Sequence, residues 1–208
     1  MDTERNNDMN LADSVTRENL MKAFAGESQA RNRYTFAQKK FAAQDYAVSE
    51  LFGFTADQES AHAQVFYDHL KDLSGQQLEI CADYPVDISS DLLTVLDMSA
   101  EHERNESGTI YPEFARIARE EGFADIARDF ENIAKIENAH AERFSAFAEL
   151  IRQGQLYSSD EEEVWVCMNC GFILSSSSAP EECPVCGVPQ GYYIRLCMTK
   201  WGMDCNSI

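Results

Sequence analysis

The sequence predicts a mainly α protein: a four-helix bundle with one long crossover, followed by a small metal-held domain of strands and loops. Three observations carry this expectation. Apolar residues recur at three- and four-residue steps through four long stretches, the spacing of a helix face. Two of the connections between those stretches are short and one is long, as in a bundle with a single crossover. Beyond residue 163 the composition turns abruptly to Cys, Gly, Pro, Ser and aromatic residues.

Residues 1–15 read as a flexible, polar lead-in, and residues 16–154 as the bundle. The first helix starts at about Thr16, the expected N-cap, with Glu18 in the first turn where the helix dipole favours an anion. Leu20, Phe24, Ala30, Tyr34, Ala37 and Phe41 mark its apolar face. A weak break at Ala42–Asp45 precedes a second helix from about Tyr46 to Ser74, closed by Gly75. Residues 75–89 form the long connection, and Ser90 is the expected cap of a third helix reaching Glu121. Pro112 lies inside that span and should kink or interrupt it, because it lacks an N–H and its ring meets the preceding turn. The fourth helix runs from about Phe123 to Gln153, stopped by Gly154. Helices of about 25–32 residues would be roughly 40–50 Å long. Residues 155–163 read as an acidic linker and 164–208 as the small domain with its tail, too small for a core without a metal. Within it, Ser175–Ser178 reads as a flexible loop.

Of 208 residues, 17 are Lys or Arg and 36 Asp or Glu, giving a net charge of −19 and a pI near 4.4. Phosphate backbones and anionic membranes attract the opposite sign, so nucleic acid and membrane are excluded as partners. No stretch reaches the roughly 18–20 apolar residues of a membrane span. Met1–Ser14 has neither the basic nor the apolar region of a secretory leader, which predicts a cytoplasmic protein.

The acidic surplus has a sharper meaning in the helices. Glu59–His62 and Glu137–His140 are both ExxH, and three residues return a helix to nearly the same face, so each pair can reach one ion. Each copy follows a lone glutamate at nearly the same distance: Glu27 precedes Glu59 by 32 residues, and Glu103 precedes Glu137 by 34. The bundle therefore reads as a repeated helical hairpin, and its glutamates and histidines match the di-iron carboxylate pattern of ferritin-like bundles. Phe24, Phe66 and Phe144 share the ligand faces, and buried carboxylates need cations.

Glu106 adds a carboxylate where the first half has Ala30, making five Glu and two His. Five carboxylates balance two Fe(III) with an oxo bridge, or two Fe(II) without one, at the same net charge of about −1, so redox cycling need not change the charge of a buried site. A surplus ligand also allows one iron to exchange partners between the two states. Tyr34 and Tyr111 can hydrogen-bond site carboxylates, whereas His69 and His102 lack metal-type partners at suitable spacing and read as structural or solvated.

Cys167, Cys170, Cys183 and Cys186 form C-x2-C-x12-C-x2-C, with Gly171 and Gly187 after each pair. This is the pattern of a closed tetrahedral thiolate site. The spacing alone leaves zinc and iron open, but a redox di-iron site needs an electron entry that a single iron can provide. Trp165, Phe172, Tyr192 and Tyr193 supply an aromatic wrapping. Cys81, Cys197 and Cys205 read as free thiols.

Ala23–Lys40, DQESAH at 57–62, Glu101–Phe123, KIENAHAERF at 135–144 and the two short-spaced cysteine pairs together resemble the rubrerythrin family over nearly the whole chain. The resemblance implies a ferritin-like di-iron bundle followed by a rubredoxin-like domain. The implied activity is a peroxidase that reduces hydrogen peroxide to water in oxidative-stress defence. It further implies that Glu27 is a terminal ligand, that Glu59 and Glu137 bridge, and that Glu103 and His140 hold one iron. Glu106 and His62 would alternate on the other, Glu106 when oxidised and His62 when reduced. Glu106 would also carry protons, with Tyr34 and Tyr111 supporting the reaction. Cys167, Cys170, Cys183 and Cys186 would hold a rubredoxin-type iron. A homodimer and electrons from NAD(P)H, through a separate rubredoxin reductase or a rubredoxin, are implied as well. Ser107 and Gly108 depart from the bulkier residues usual there, and Cys197–Ile208 has no implied role. The rival readings are a ferroxidase or iron-handling protein of ferritin type, and an electron-transfer or zinc-stabilised binding module with a vestigial bundle site.

Overall fold

The computed structural model describes residues 9–199. Cys205, most of the N-terminal lead-in and the C-terminal stretch 200–208 lie outside the described residues. Two compact units emerge from the chain: one combines the chain up to Tyr34 with Thr55–Ser145, the other combines Thr35–Phe54 with the chain from Ala146 onward.

Helix α1 (Val15–Phe41) follows a short 3-10 turn. Its cap is Ser14, whose hydroxyl accepts from the Arg17 N–H at 3.0 Å. Thr16, the cap expected from sequence, lies inside the helix. Its N–H and hydroxyl both donate to the Glu121 carboxylate, at 2.8 and 2.6 Å, and the Val15 N–H adds a third bond at 2.9 Å. An anion carried in from 105 residues away thus satisfies the first-turn donors.

Helix α2 (Tyr46–His69) ends one turn before Ser74 and gives way to a 3-10 turn at Lys71–Leu73. Residues 76–90 have no helix or strand. This crossover is pinned by Asp87, which accepts from Arg33 at 2.7 Å and faces His102 Nε2 at 2.9 Å. His69 faces Asp129 at 2.9 Å, so both histidines outside the ExxH pairs have carboxylate partners.

Helix α3 (Leu92–Asn105) is capped by Asp91, not Ser90, with the Thr94 N–H donating at 2.8 Å. The expected disturbance near Pro112 takes the form of a widened π turn at Glu106–Ile110, closed by the Tyr111 N–H donating to the Glu106 carbonyl five residues back. Pro112 then sits in the first turn of α4 (Tyr111–Glu120), directly after the π turn. Gly122, at φ +92°, turns the chain out: Phe123 N–H reaches Ala118 O at 2.8 Å and Gly122 N–H reaches Arg119 O at 3.2 Å. Helix α5 (Ala124–Arg152) completes the bundle. Leu20, Phe66, Tyr111, Ala118, Ala127 and Phe130 are at the centre of the first unit's core.

In the second unit, β1 (Ser158–Cys167) pairs antiparallel with both β2 (Ile173–Ser178) and β3 (Tyr193–Arg195), in the order β2-β1-β3. Strand β1 begins inside the stretch read as linker. Ser175–Ser178, expected as a loop, is strand: Ser175 pairs with Val164, and Ser176 gives its carbonyl to Trp165 Nε1 at 2.9 Å. Tyr157 donates to Asp45 at 2.5 Å, and Tyr192 stacks on Tyr46 with centroids 4.3 Å apart. No helix among the described residues is long and apolar enough to cross a membrane.

Candidate metal centres

Four helical segments bring the acidic residues inward. Glu27 comes from α1, Glu59 and His62 from α2, Glu103 from α3, and Glu137 and His140 from α5. All six are buried, although carboxylates are seldom so unless paired or metal-bound. Their ligand atoms form two overlapping groups, Glu27, Glu59, His62 and Glu137, and Glu59, Glu103, Glu137 and His140. Within each group the atoms lie within 4.8 Å of one another.

Glu59 and Glu137 belong to both. Each turns one oxygen to His62 Nδ1, at 3.6 and 2.9 Å, and the other to His140 Nδ1, at 3.0 and 2.8 Å. Glu27 closes the first group at 3.8 Å from His62, and Glu103 the second at 3.4 Å from His140.

These contacts do not satisfy the atoms that make them. Among the described residues, buried side-chain atoms without a hydrogen bond include Glu27 Oε2, both oxygens of Glu59 and of Glu137, Glu103 Oε2, and Nδ1 of His62 and His140. Lone-pair atoms gathered in this way, with no hydrogen bonds between them, are arranged as ligands around cations. Hard oxygen and imidazole donors suit iron, so the residues present fit a di-iron centre.

The site's proton affinities show the same demand. Burial, then the neighbouring Glu59, holds Glu27 well above the ordinary carboxylate range. Burial and the Glu59 charge likewise raise Glu103. Burial opposes ionisation of Glu59, yet the adjacent Glu27 carboxyl and the His140 and His62 imidazoles bring it down. Burial would depress the imidazoles, but the carboxylates outweigh it, raising His62 and pushing His140 up to about 11.

Glu106, at the start of the π turn, belongs to neither tight group. Burial, with the Glu137 and Glu59 charges, pushes it up to about 8. It lines a pocket of about 490 Å³ together with Gly26, Cys81, Tyr84, Tyr111 and Phe114. Both the Tyr84 ring and Glu106 Oε1 border Gly26, 3.7 and 3.9 Å from where a Cβ would stand.

Tyr34 donates to Glu103, and Tyr111 donates to Glu27. Gln58, not singled out in the sequence, faces His140 Nε2 with its Oε1 at 3.1 Å and accepts from Arg143 at 3.3 Å. With the Gln58 oxygen as acceptor, Nε2 would carry the ring proton and Nδ1 would be left for a metal. Its one sequence signal is adjacency to Glu59; the contact itself spans 82 residues.

In the tail, the Gly171 and Gly187 N–H groups close each cysteine turn on the Cys167 and Cys183 carbonyls, at 2.8 and 2.9 Å, with φ of +78° and +73° that favour glycine. The sulfurs of Cys167, Cys170, Cys183 and Cys186 come within 4.8 Å of one another, as a single ion requires. Burial resists ionisation of Cys183, but the Tyr193 hydroxyl and the Cys186 and Val185 N–H groups pull its thiol down to about 6. Neither Cys81 nor Cys197 is in a disulfide among the described residues.

Comparisons with known proteins agree with this geometry. A family model described as rubrerythrin matches residues 18–148, and one described as the rubrerythrin rubredoxin-like domain matches residues 165–194. The chain is 46% identical to a rubrerythrin of Clostridium perfringens over 185 residues, covering 88% of this chain and 95% of the relative. It is 42% identical to a rubrerythrin of Nitratidesulfovibrio vulgaris, covering 89% and 96%. The solved structure of nigerythrin in a partially reduced state superposes with a TM-score of 0.59 at 29% identity, covering 94% of this chain and 96% of that one.

Proposed function

Because the chain belongs to the rubrerythrin family of iron oxidoreductases, we propose that it is a peroxidase. It reduces hydrogen peroxide to water, H2O2 + 2e⁻ + 2H⁺ → 2H2O, with electrons relayed through the iron of its rubredoxin-like domain. The observation that carries this reading is one chain with two sites: a buried cluster of carboxylates and imidazoles whose ligand atoms lack hydrogen-bond partners, and a four-cysteine site suited to single-electron transfer.

When bound, two irons supply the pair of electrons and the Lewis acidity that O–O cleavage demands. The chain's own residues do the rest. Glu27, Glu59, Glu103, Glu137 and His140 would form the fixed cage, and Glu106 and His62 would be the exchangeable ligands. Tyr34 and Tyr111 hold Glu103 and Glu27 in place, and Gln58 holds the tautomer of His140. Glu106 faces the pocket with a proton affinity close to neutrality, so it can carry protons between solvent and substrate. We place the bundle at residues 16–154 and the redox tail at 164–208. The protein would act as a cytoplasmic homodimer, supplied from NAD(P)H by a separate reductase or rubredoxin.

Anaerobic stopped-flow mixing of the reduced, iron-loaded protein with peroxide or O2 tests the reading. Peroxide should reoxidise both centres much faster than O2, at two electrons per peroxide. Equal rates with O2, the tail staying reduced, would replace the peroxidase with a ferroxidase or oxidase. Glu106→Ala should slow peroxide turnover and leave the tail's iron spectrum unchanged; wild-type rates would remove Glu106 from the mechanism.

A further inference from the structure

Tyr193 is fully buried, and strand β3 pairs it opposite Cys167. Its ring packs with Trp165, Cys167, Ala179 and Cys183. These side chains offer one nitrogen, Trp165 Nε1, and that N–H is already given to Ser176 O. The Tyr193 hydroxyl is buried and, among the described residues, has no hydrogen-bond partner. Phenylalanine would fill the same space without burying an unpaired O–H, which is an unfavourable state for a hydroxyl. The Cys183 sulfur shares that buried cluster, and the two groups lie close enough for each to shift the other's proton affinity.

We propose that Tyr193 donates its O–H to Cys183 Sγ once that sulfur is a thiolate on the tail iron, and that this bond sets the iron's reduction potential. A metal-bound thiolate accepts far more strongly than a neutral thiol, so the hydroxyl's partner arrives with the metal. Backbone N–H groups also reach the sulfurs: Asn169 and Cys170 toward Cys167, Phe172 toward Cys170, Val185 and Cys186 toward Cys183, and Val188 toward Cys186. Those come with the cysteine turns themselves. The Tyr193 hydroxyl is a side-chain addition from a separate strand.

The sign follows from charge. Four thiolates give a centre of −1 with Fe(III) and −2 with Fe(II), and a donor aimed at sulfur favours the more negative form. Tyr193 therefore raises the potential and makes the tail a readier electron acceptor from its donor. This requires iron in the tail and is independent of what the bundle site reduces.

The test is a redox titration of the full-length, iron-loaded Tyr193→Phe protein, followed by the thiolate-to-iron absorbance. Its equilibrium constant for electron gain should fall about tenfold, a shift of about 59 mV to lower potential for one electron, and the charge-transfer band should move to longer wavelength. Tyr192→Phe, whose ring stacks on Tyr46, is the control and should leave the potential in place. An unchanged potential in Tyr193→Phe, or equal shifts in both variants, would overturn the assignment. The unaltered protein gives a second readout. Loaded with the spin-half cadmium isotope, it should show scalar coupling between the Tyr193 hydroxyl proton and the metal, and absence of that coupling would also overturn it.

Discussion

Tyr111 donates its hydroxyl to Glu27, and in the mirrored arrangement Tyr34 donates to Glu103, so each helical hairpin holds a carboxylate of the other. The pairing explains an irregularity of spacing. Tyr34 follows Glu27 by seven residues, two helical turns, whereas Tyr111 follows Glu103 by eight. The π turn at Glu106–Ile110 absorbs the extra residue and returns Tyr111 to the position equivalent to Tyr34.

Tyr111→Phe removes a donor from a buried carboxylate without changing the ring's packing against Phe66 and Phe130. Iron affinity of the bundle should fall about 10–100-fold, measured by competition with a chelator. The tail iron serves as the internal reference and should be unaffected.

Metal-free protein should lose stability as pH rises from about 5 to about 8. Glu27, Glu103 and Glu106 bind protons more tightly folded than unfolded, as do His62 and His140. In that window the native state holds more protons than the unfolded chain, which makes the slope of stability against pH negative. Glu59 is shifted the opposite way, but its effect falls at acid pH. Iron needs the deprotonated ligands, so the gap in Tm between loaded and metal-free protein should widen toward pH 8. A gap independent of pH would contradict this.

Cys170→Ser, at a solvent-exposed ligand of the tail, should release the tail metal. With a core of few residues, two of them cysteines, the sheet should then unfold. Hydrogen exchange across 158–199 would rise to the unfolded rate while the protection of α3, α4 and α5 is kept.

Gly122→Ala places a side chain at φ +92°, with nothing nearby to clash. The cost is purely conformational, about 1 kcal/mol, and calorimetry should show a Tm lower by about 2–4 °C for a chain of this size.

The helices were legible because their signals are local: apolar spacing, stop glycines and the ExxH repeat. The ligand types followed from the same repeat. Other features were hidden because their causes lie far along the chain. Glu121 reaches the first turn of α1 from 105 residues away, so Thr16 looked like a cap when Ser14 is one. The run Ser175–Ser178 has the composition of a loop, yet pairing with β1 holds it as strand. Pro112 announced a disturbance, but whether the helix would bend or widen depended on bringing Tyr111 to Glu27. The roles of Gln58 and Asp87 are defined by partners on distant helices.

The two crossed tyrosine contacts also govern how the protein comes to exist. They join residues 69 and 84 positions apart, and such distant contacts cost loop-closure entropy before they return any stability. Neither hairpin can finish its own half of the cage, because each lacks a carboxylate support that only the other provides. The cage is therefore complete only when both hairpins are docked, which couples the pairing of the hairpins to the construction of the site.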